Sequence, residues 1–106
     1  MTVAPFGREP GGAPLRLRLY VSGNAPNSLS AIRNLNAICE EHLTGPCEIE
    51  VVDVITEGLR AVQDRILVTP TLLLVDHPHV RVLGNLSDTA RVLATLLPHD
   101  RSHART

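Results

Sequence analysis

Few side chains in this chain have the types and spacing that reaction chemistry requires. Cys39 and Cys47 lie on either side of a Gly45-Pro46 break. Thiol-disulfide exchange needs an exposed thiolate of depressed pKa, favoured at a helix N-terminus, with a second thiol in reach. Cys39 falls deep in a helical segment and Cys47 begins a strand, so neither placement suits that chemistry. His77 and His79 flank Pro78 in a tight loop, and His99 and His103 stand at helical spacing near the C-terminus. Two imidazoles hold Zn2+ or Ni2+ only weakly, whereas a structural site takes four ligands, and no cysteine joins them. They read as solvated loop histidines, and His42 as a helix-end residue. No catalytic residue, cofactor or resident metal is expected.

The elements that position these groups follow from periodicity. Leu15, Leu17, Leu19 and Val21 alternate with Arg16, Arg18 and Tyr20, the two-residue period of a strand with one buried face. Gly23-Asn24-Ala25-Pro26-Asn27-Ser28 then turns the chain. Pro26 suits a first helical turn, and Asn24 or Asn27 is placed to cap it. Leu29, Ile32, Leu35, Cys39 and Leu43 recur at helical steps and predict a helix to about Leu43 with that stripe in the core. Glu48 to Ile55 is β-branched and predicts a second strand, parallel to the first across a right-handed crossover. Leu59, Val62 and Ile66 mark one apolar face of a short helix that must end before Pro70. Thr71 to Val75 reads as a continuous apolar strand. A turn at Asp76 to His79 leads into a short antiparallel strand, Val80 to Leu83, and Ser87 caps a last helix with a stripe of Ala90, Leu93 and Leu97. The order is βαβαββα.

Composition narrows the function classes. The 106 residues suffice for one domain, and all ten basic residues are Arg against eleven acids, a net charge of −1. That balance lacks the basic excess a phosphate backbone demands, and Phe6 and Tyr20 alone offer no platform for stacking bases. Nucleic acid is therefore not an expected partner. No apolar run approaches the roughly 20 residues of a membrane span, and the N-terminus lacks a signal-peptide pattern, so a cytoplasmic location without membrane contact is expected. Residues 1–14, with three Pro and three Gly, read as a disordered arm, 15–97 as the folded domain, and 98–106 as a flexible tail.

A proline just before the third strand of a βαβαββα chain is the order of a thioredoxin-like domain. The corner that in such a domain carries the reactive pair has no cysteine here, no histidine and no acid. The stretches LRLYVSGNAPNSLSAIRNLNAI, EVVDV, DRILVTPTLLLV and RVLGNLSD together resemble the KaiB family of bacterial clock operons, over about Leu15 to Leu97. The combination of LYVSGNAPNS, ILVTPT and GNLS is far more specific than any one piece. The tail PHDRSHART lacks the acidic run of many clock-type members, and the loop at Asp76 to His79 is shorter than its Pro-rich equivalent.

The resemblance implies a non-catalytic adaptor that binds the ring-shaped ATPase KaiC or a KaiC-like relative. It also implies KaiA or a SasA-like kinase as further or competing partners. It further implies metamorphism between a ground-state fold, dimeric or tetrameric, and a monomeric thioredoxin-like fold that binds partners, the two differing in the C-terminal half. Ser87 to Leu97 contains neither Gly nor Pro and has a helical stripe, which predicts the thioredoxin-like state as the dominant one. The residues expected to meet a partner are Asn24 in the corner, Arg60, Asp64 and Arg65 on the second helix, and Thr69 with Pro70. Gly, Asn and Pro at the corner also suit any strand-to-helix turn, and Thr69-Pro70 also suits a plain helix stop. The alternative readings are a stand-alone sensory module like the thioredoxin-like domain of SasA and, disfavoured by the missing cysteine pair, a thiol oxidoreductase.

Overall fold

The computed structural model describes residues 14–43 and 45–99. Strand β1 (Leu15–Val21) leads into helix α1 (Pro26–His42), strand β2 (Cys47–Asp53) and helix α2 (Gly58–Gln63). Strands β3 (Thr71–Leu74) and β4 (His77–Leu83) precede helix α3 (Thr89–Leu96), which closes in a 3-10 turn at Leu97–His99. The four strands lie in the order β2-β1-β3-β4, with β1 parallel to β2 and antiparallel to β3, and β3 antiparallel to β4. The expected order, the parallel pairing of β1 with β2 and the antiparallel hairpin all form. The expected disordered arm falls almost wholly outside the described residues, as does most of the expected tail, of which Pro98 and His99 stand in the closing turn.

Two apolar clusters flank the sheet. On one face Leu15, Leu17, Leu19 and Val21 of β1 pack with Ala31, Leu35 and Ile38 of α1, Leu72, Leu74 and Val82 of the hairpin, and Val92 and Leu96 of α3. On the other, Tyr20, Val52 and Leu73 meet Ala61 of α2. Each fully buried Leu or Val contributes about 1.5–3 kcal/mol, so the larger cluster dominates the stability of the fold. The two-residue period of β1 holds, but Tyr20, expected on an open face, is fully buried, because α2 covers that side. Thr71–Leu74 is buried on both faces for the same reason, which explains its unbroken apolar run.

Several details differ from the sequence reading. The buried residues of α1 are Ser28, Ala31, Leu35 and Ile38; of the expected stripe Leu35 is buried, as is Leu43 just past the helix, Ile32 and Cys39 are half-buried against the same core, and Leu29 is exposed. No asparagine caps α1. Instead Ser28 Oγ reaches back and accepts from the Ser22 amide at 3.0 Å, while Gly23, at φ +53°, donates its amide to Asp53 Oδ1 at 3.0 Å. Helix α3 is capped by Asp88, which accepts from the Arg91 amide, and buries Val92 and Leu96 while Ala90 faces solvent. Strand β4 begins at His77, leaving only Val75 and Asp76 in the turn, because the register slips between Leu73 and Leu74.

The GNLS stretch turns the chain from β4 into α3. Gly84 sits at φ +107° and its amide donates to the Pro70 carbonyl at 2.9 Å. Asn85 Oδ1 accepts from the Ser87 amide, and the Asn85 carbonyl accepts from Asn34 of α1, while Leu86 plugs the core. An added Cβ at Gly84 meets nothing within 4 Å, so the cost of a side chain there is purely conformational. Gly84→Ala should therefore lower stability by about 1–2 kcal/mol. Gly58→Ala, equally uncrowded and at a φ outside the left-handed region, should raise it by about 0.4–1 kcal/mol. Urea denaturation of both variants checks the contrast, and equal destabilisation would contradict it.

Candidate functional site

Helix α2 is too short to bury much: of its six residues only Ala61 is buried. Polar contacts hold it to the sheet. Tyr20 Oη donates to Asp64 Oδ2 and lies 3.1 Å from the Arg60 carbonyl oxygen. Arg18 of β1 bridges Glu50 of β2 at 2.9 Å and Asp64 at 3.0 Å, and Arg60 reaches Glu50 at 2.7 Å and Glu57 at 3.3 Å. From β4, Arg81 donates to the carbonyls of Asp64 at 3.0 Å, Arg65 at 3.3 Å and Pro78 at 2.6 Å.

The end of α2 follows from the same geometry. Ile66 N bonds to the Ala61 carbonyl and Arg65 N to the Val62 carbonyl, the paired bonds of a Schellman turn, with Ile66 and Ala61 in one apolar cluster. Such a turn places one residue in the left-handed region, and here it is Arg65, at φ 57°. Glycine is the usual occupant, because a Cβ there costs roughly 1 kcal/mol. The chain then passes through a cis Thr69-Pro70 bond, and Thr71 Oγ1 donates to the Val68 carbonyl at 2.7 Å.

With its polar residues turned to the sheet, α2 presents apolar ones to solvent. Leu59 is 70% exposed and Val62 72%, and beyond the helix Leu67 reaches 93%. Ile55 and Val68 are also exposed, and a shallow cavity of about 230 Å3 between Val54, Ala61, Ile66 and Thr69 opens beside them. The expected apolar face of Leu59, Val62 and Ile66 is not packed as one: Leu59 and Val62 lie in solvent. Only Ile66 is half-buried, because the Schellman turn folds it back over Ala61. This group of exposed apolar residues on one short helix and its flanks is the candidate docking surface.

Among the residues expected to meet a partner, the structure brings Arg60, Asp64, Arg65 and the Thr69-Pro70 bond to α2 and the loop after it. Arg65 is exposed, whereas Arg60 and Asp64 are engaged in the network and Pro70 is buried. Asn24 is exposed in the β1-to-α1 corner, away from α2 in sequence. Leu59, Val62 and Leu67 were missed as surface residues. Their signal was a helix with a single small residue, Ala61, next to a sheet face carrying Tyr20 and Arg18.

Hydrogen bonds from Arg60 and Arg18 hold the Glu50 carboxyl at about 2. Burial alone would raise the Asp64 value, but bonds from Tyr20 and Arg18 outweigh it and lower it. Burial, then the bond to Asp64, pushes the Tyr20 phenol up to about 12. Among the described residues no group of three or more His, Cys, Asp or Glu is arranged to hold a metal ion. No helix among them is long and apolar enough to cross a membrane.

Comparison with known proteins gives a consistent picture. The KaiB domain family matches residues 18–98. The circadian clock oscillator protein KaiB of Acaryochloris marina is 48% identical over 81 residues, covering 76% of this chain and 78% of that protein. That of Thermostichus vulcanus is 45% identical over 89 residues, covering 79% and 82%. Among solved structures, thioredoxin 1 of Thermosipho africanus superposes with a TM-score of 0.67 at 17% identity, covering 87% of this chain and all of that one. The N-terminal domain of SasA from Synechococcus elongatus gives 0.61 at 23%, covering 91% and 89%. The fold is thioredoxin-like.

The carboxyl values set a pH dependence. Glu50 and Asp64 both titrate below their unfolded values: the contribution of Glu50 to stability is complete above about pH 4.5 and is lost as pH falls towards about 2, and that of Asp64 is likewise lost on acidification. Tyr20 acts in the opposite range, its contribution present below about pH 10 and lost as pH rises through about 12. Urea midpoints measured across the acid range should fall in that window, and Arg18→Gln should flatten the fall. An equal acid slope in the variant would remove Arg18 from the cause.

Proposed function

The chain belongs to the KaiB family, and from that premise we propose that it is a non-catalytic adaptor that docks on a KaiC-type ATPase ring. The observation that carries this reading is the exposed apolar group Leu59, Val62 and Leu67 beside Arg65 and the Thr69-Pro70 loop, in the half of the chain where the family meets its ring. Apolar anchors with a charged rim are what a protein interface needs. The corner supports the same reading: it carries no cysteine, and Gly23, Ala25 and Ser28 are occupied in turning the chain.

The thioredoxin-like arrangement is the ring-binding one and the dominant one in solution. A second packing of the C-terminal half, dimeric or tetrameric, competes with it, and the apparent affinity for the ring falls by the fraction of chains in that packing. The thioredoxin-like chain is monomeric and cytoplasmic, and a SasA-like kinase competes for its place on the ring. KaiA, where present, joins the ring-bound complex. NMR secondary shifts showing Thr89–Leu96 as strand, or a tetramer at working concentration, would refute the dominant state.

Two sets of variants test the docking surface. Leu59→Asp and Val62→Asp should weaken capture of the cognate KaiC-type ring by roughly tenfold or more. Their stability should stay within about 0.5 kcal/mol of the parent, as befits exposed positions. Arg65→Gly should relieve the left-handed position and hold or raise stability by up to about 1 kcal/mol, while weakening capture. Undiminished capture by all three, measured with and without ATP, would place the interface elsewhere. Turnover in a thiol-reduction assay would favour an oxidoreductase.

A further inference from the structure

We propose that His77 and His99 form a two-imidazole site for a late first-row divalent ion of the Zn2+, Ni2+ or Cu2+ class. The two residues are far apart in the chain. His77 opens β4, and His99 ends the 3-10 turn after α3. The return of α3 across the sheet sets their ring centroids 4.9 Å apart with planes inclined at 42°. Both rings line one cavity of about 260 Å3, together with Arg16, Leu74 and Asp76.

The spacing suits a shared ion. With metal-to-nitrogen bonds of about 2.0–2.1 Å, two imidazoles in tetrahedral or right-angled positions hold their ring centroids about 4.5–5.2 Å apart. Among the described residues neither ring makes a hydrogen bond to the protein, so their nitrogens are available to a ligand where the two rings meet. The one strong positive charge nearby is already balanced: Arg16 pairs with Asp76 at 3.0 Å and lies 3.9 Å from Glu48. His79 stands 6.3 Å from His77 and edge-on at 89°, outside the range for a tetrahedral or right-angled pair.

Two nitrogen ligands and open water positions define the selectivity. Mg2+ and Ca2+ require several oxygen ligands and are not held, whereas imidazole suits Zn2+, Ni2+ and Cu2+. Binding is exchangeable, because half or more of the coordination sphere belongs to solvent. Its structural effect is a clip between the start of β4 and the turn that closes α3. An ion present at about a hundred times its dissociation constant favours the clipped arrangement about a hundredfold over any that separates the rings.

The test uses the full chain without an affinity tag, titrated with ZnCl2 or NiCl2 by calorimetry and by NMR of the histidine rings. The expected result is one-to-one binding with shifts at His77 and His99, and a rise in Tm with zinc. His77→Gln and His99→Gln should each weaken binding roughly tenfold or more, a loss of about 1.4 kcal/mol or more, with unchanged circular dichroism. His79→Gln should leave affinity within about threefold of the parent. Binding by His99→Gln equal to the parent, loss of binding in His79→Gln, or equal affinity for MgCl2 would each overturn the site.

Discussion

The placement of α2 depends on one buried phenol and the carboxylate it meets. Ala61, the single buried residue of that helix, offers a methyl group, and burying it contributes about 0.8 kcal/mol. A hydrogen bond to a charged group contributes about 1.5–3 kcal/mol, and α2 with its C-cap receives them from Tyr20 and Arg18 at Asp64. Arg18 and Asp64 are each about one-fifth exposed at the side chain, so part of that is lost to solvent, but the polar contribution still exceeds the apolar one. The helix is therefore oriented by its polar residues. Its larger apolar ones, Leu59 and Val62, are left outside, and the exposed apolar surface is the consequence.

The same priority of geometry over side-chain chemistry runs through the family signature. In LYVSGNAPNS, Tyr20 anchors α2, Gly23 takes a positive φ and Ser28 closes the corner by accepting the Ser22 amide. In GNLS, Gly84 and Leu86 take left-handed conformations that turn β4 into α3, and Asn85 ties that turn to α1. These residues are structural. These two pieces serve the fold, whereas the exposed apolar residues lie on α2, between LYVSGNAPNS and ILVTPT, and in ILVTPT itself, which contributes Leu67 and Val68.

How much was legible follows from which signals are local. The order βαβαββα, the parallel crossover and the hairpin could be read from periods of two and of three to four residues and from Gly and Pro breaks, because each is a property of a short window. Helix phase was less secure. The core face of α1 is centred on Ala31, Leu35 and Ile38, so Ile32 and Cys39 are half-buried at its edge and Leu29 is exposed, since Leu29 and Ala31 satisfy helical spacing equally well and only the neighbouring sheet chooses between them. Arg60, Asp64 and Arg65 could be named as a charged face, but nothing local distinguishes Asp64, which takes a phenol and a guanidinium, from Arg65, which is left exposed in a strained turn.

By itself the sequence determined the elements, their order, the absence of a thiol pair at the β1-to-α1 corner and the likeness to KaiB, because these rest on residue type and spacing along the chain. The tertiary structure decided what depends on packing across it. Tyr20 is buried because α2 covers the second face of the sheet, and Leu59 and Val62 are exposed because polar contacts set the rotation of that helix. His77 and His99 meet because α3 returns the chain to the start of β4. Those relations join residues 22 to 46 positions apart, and no local period records them.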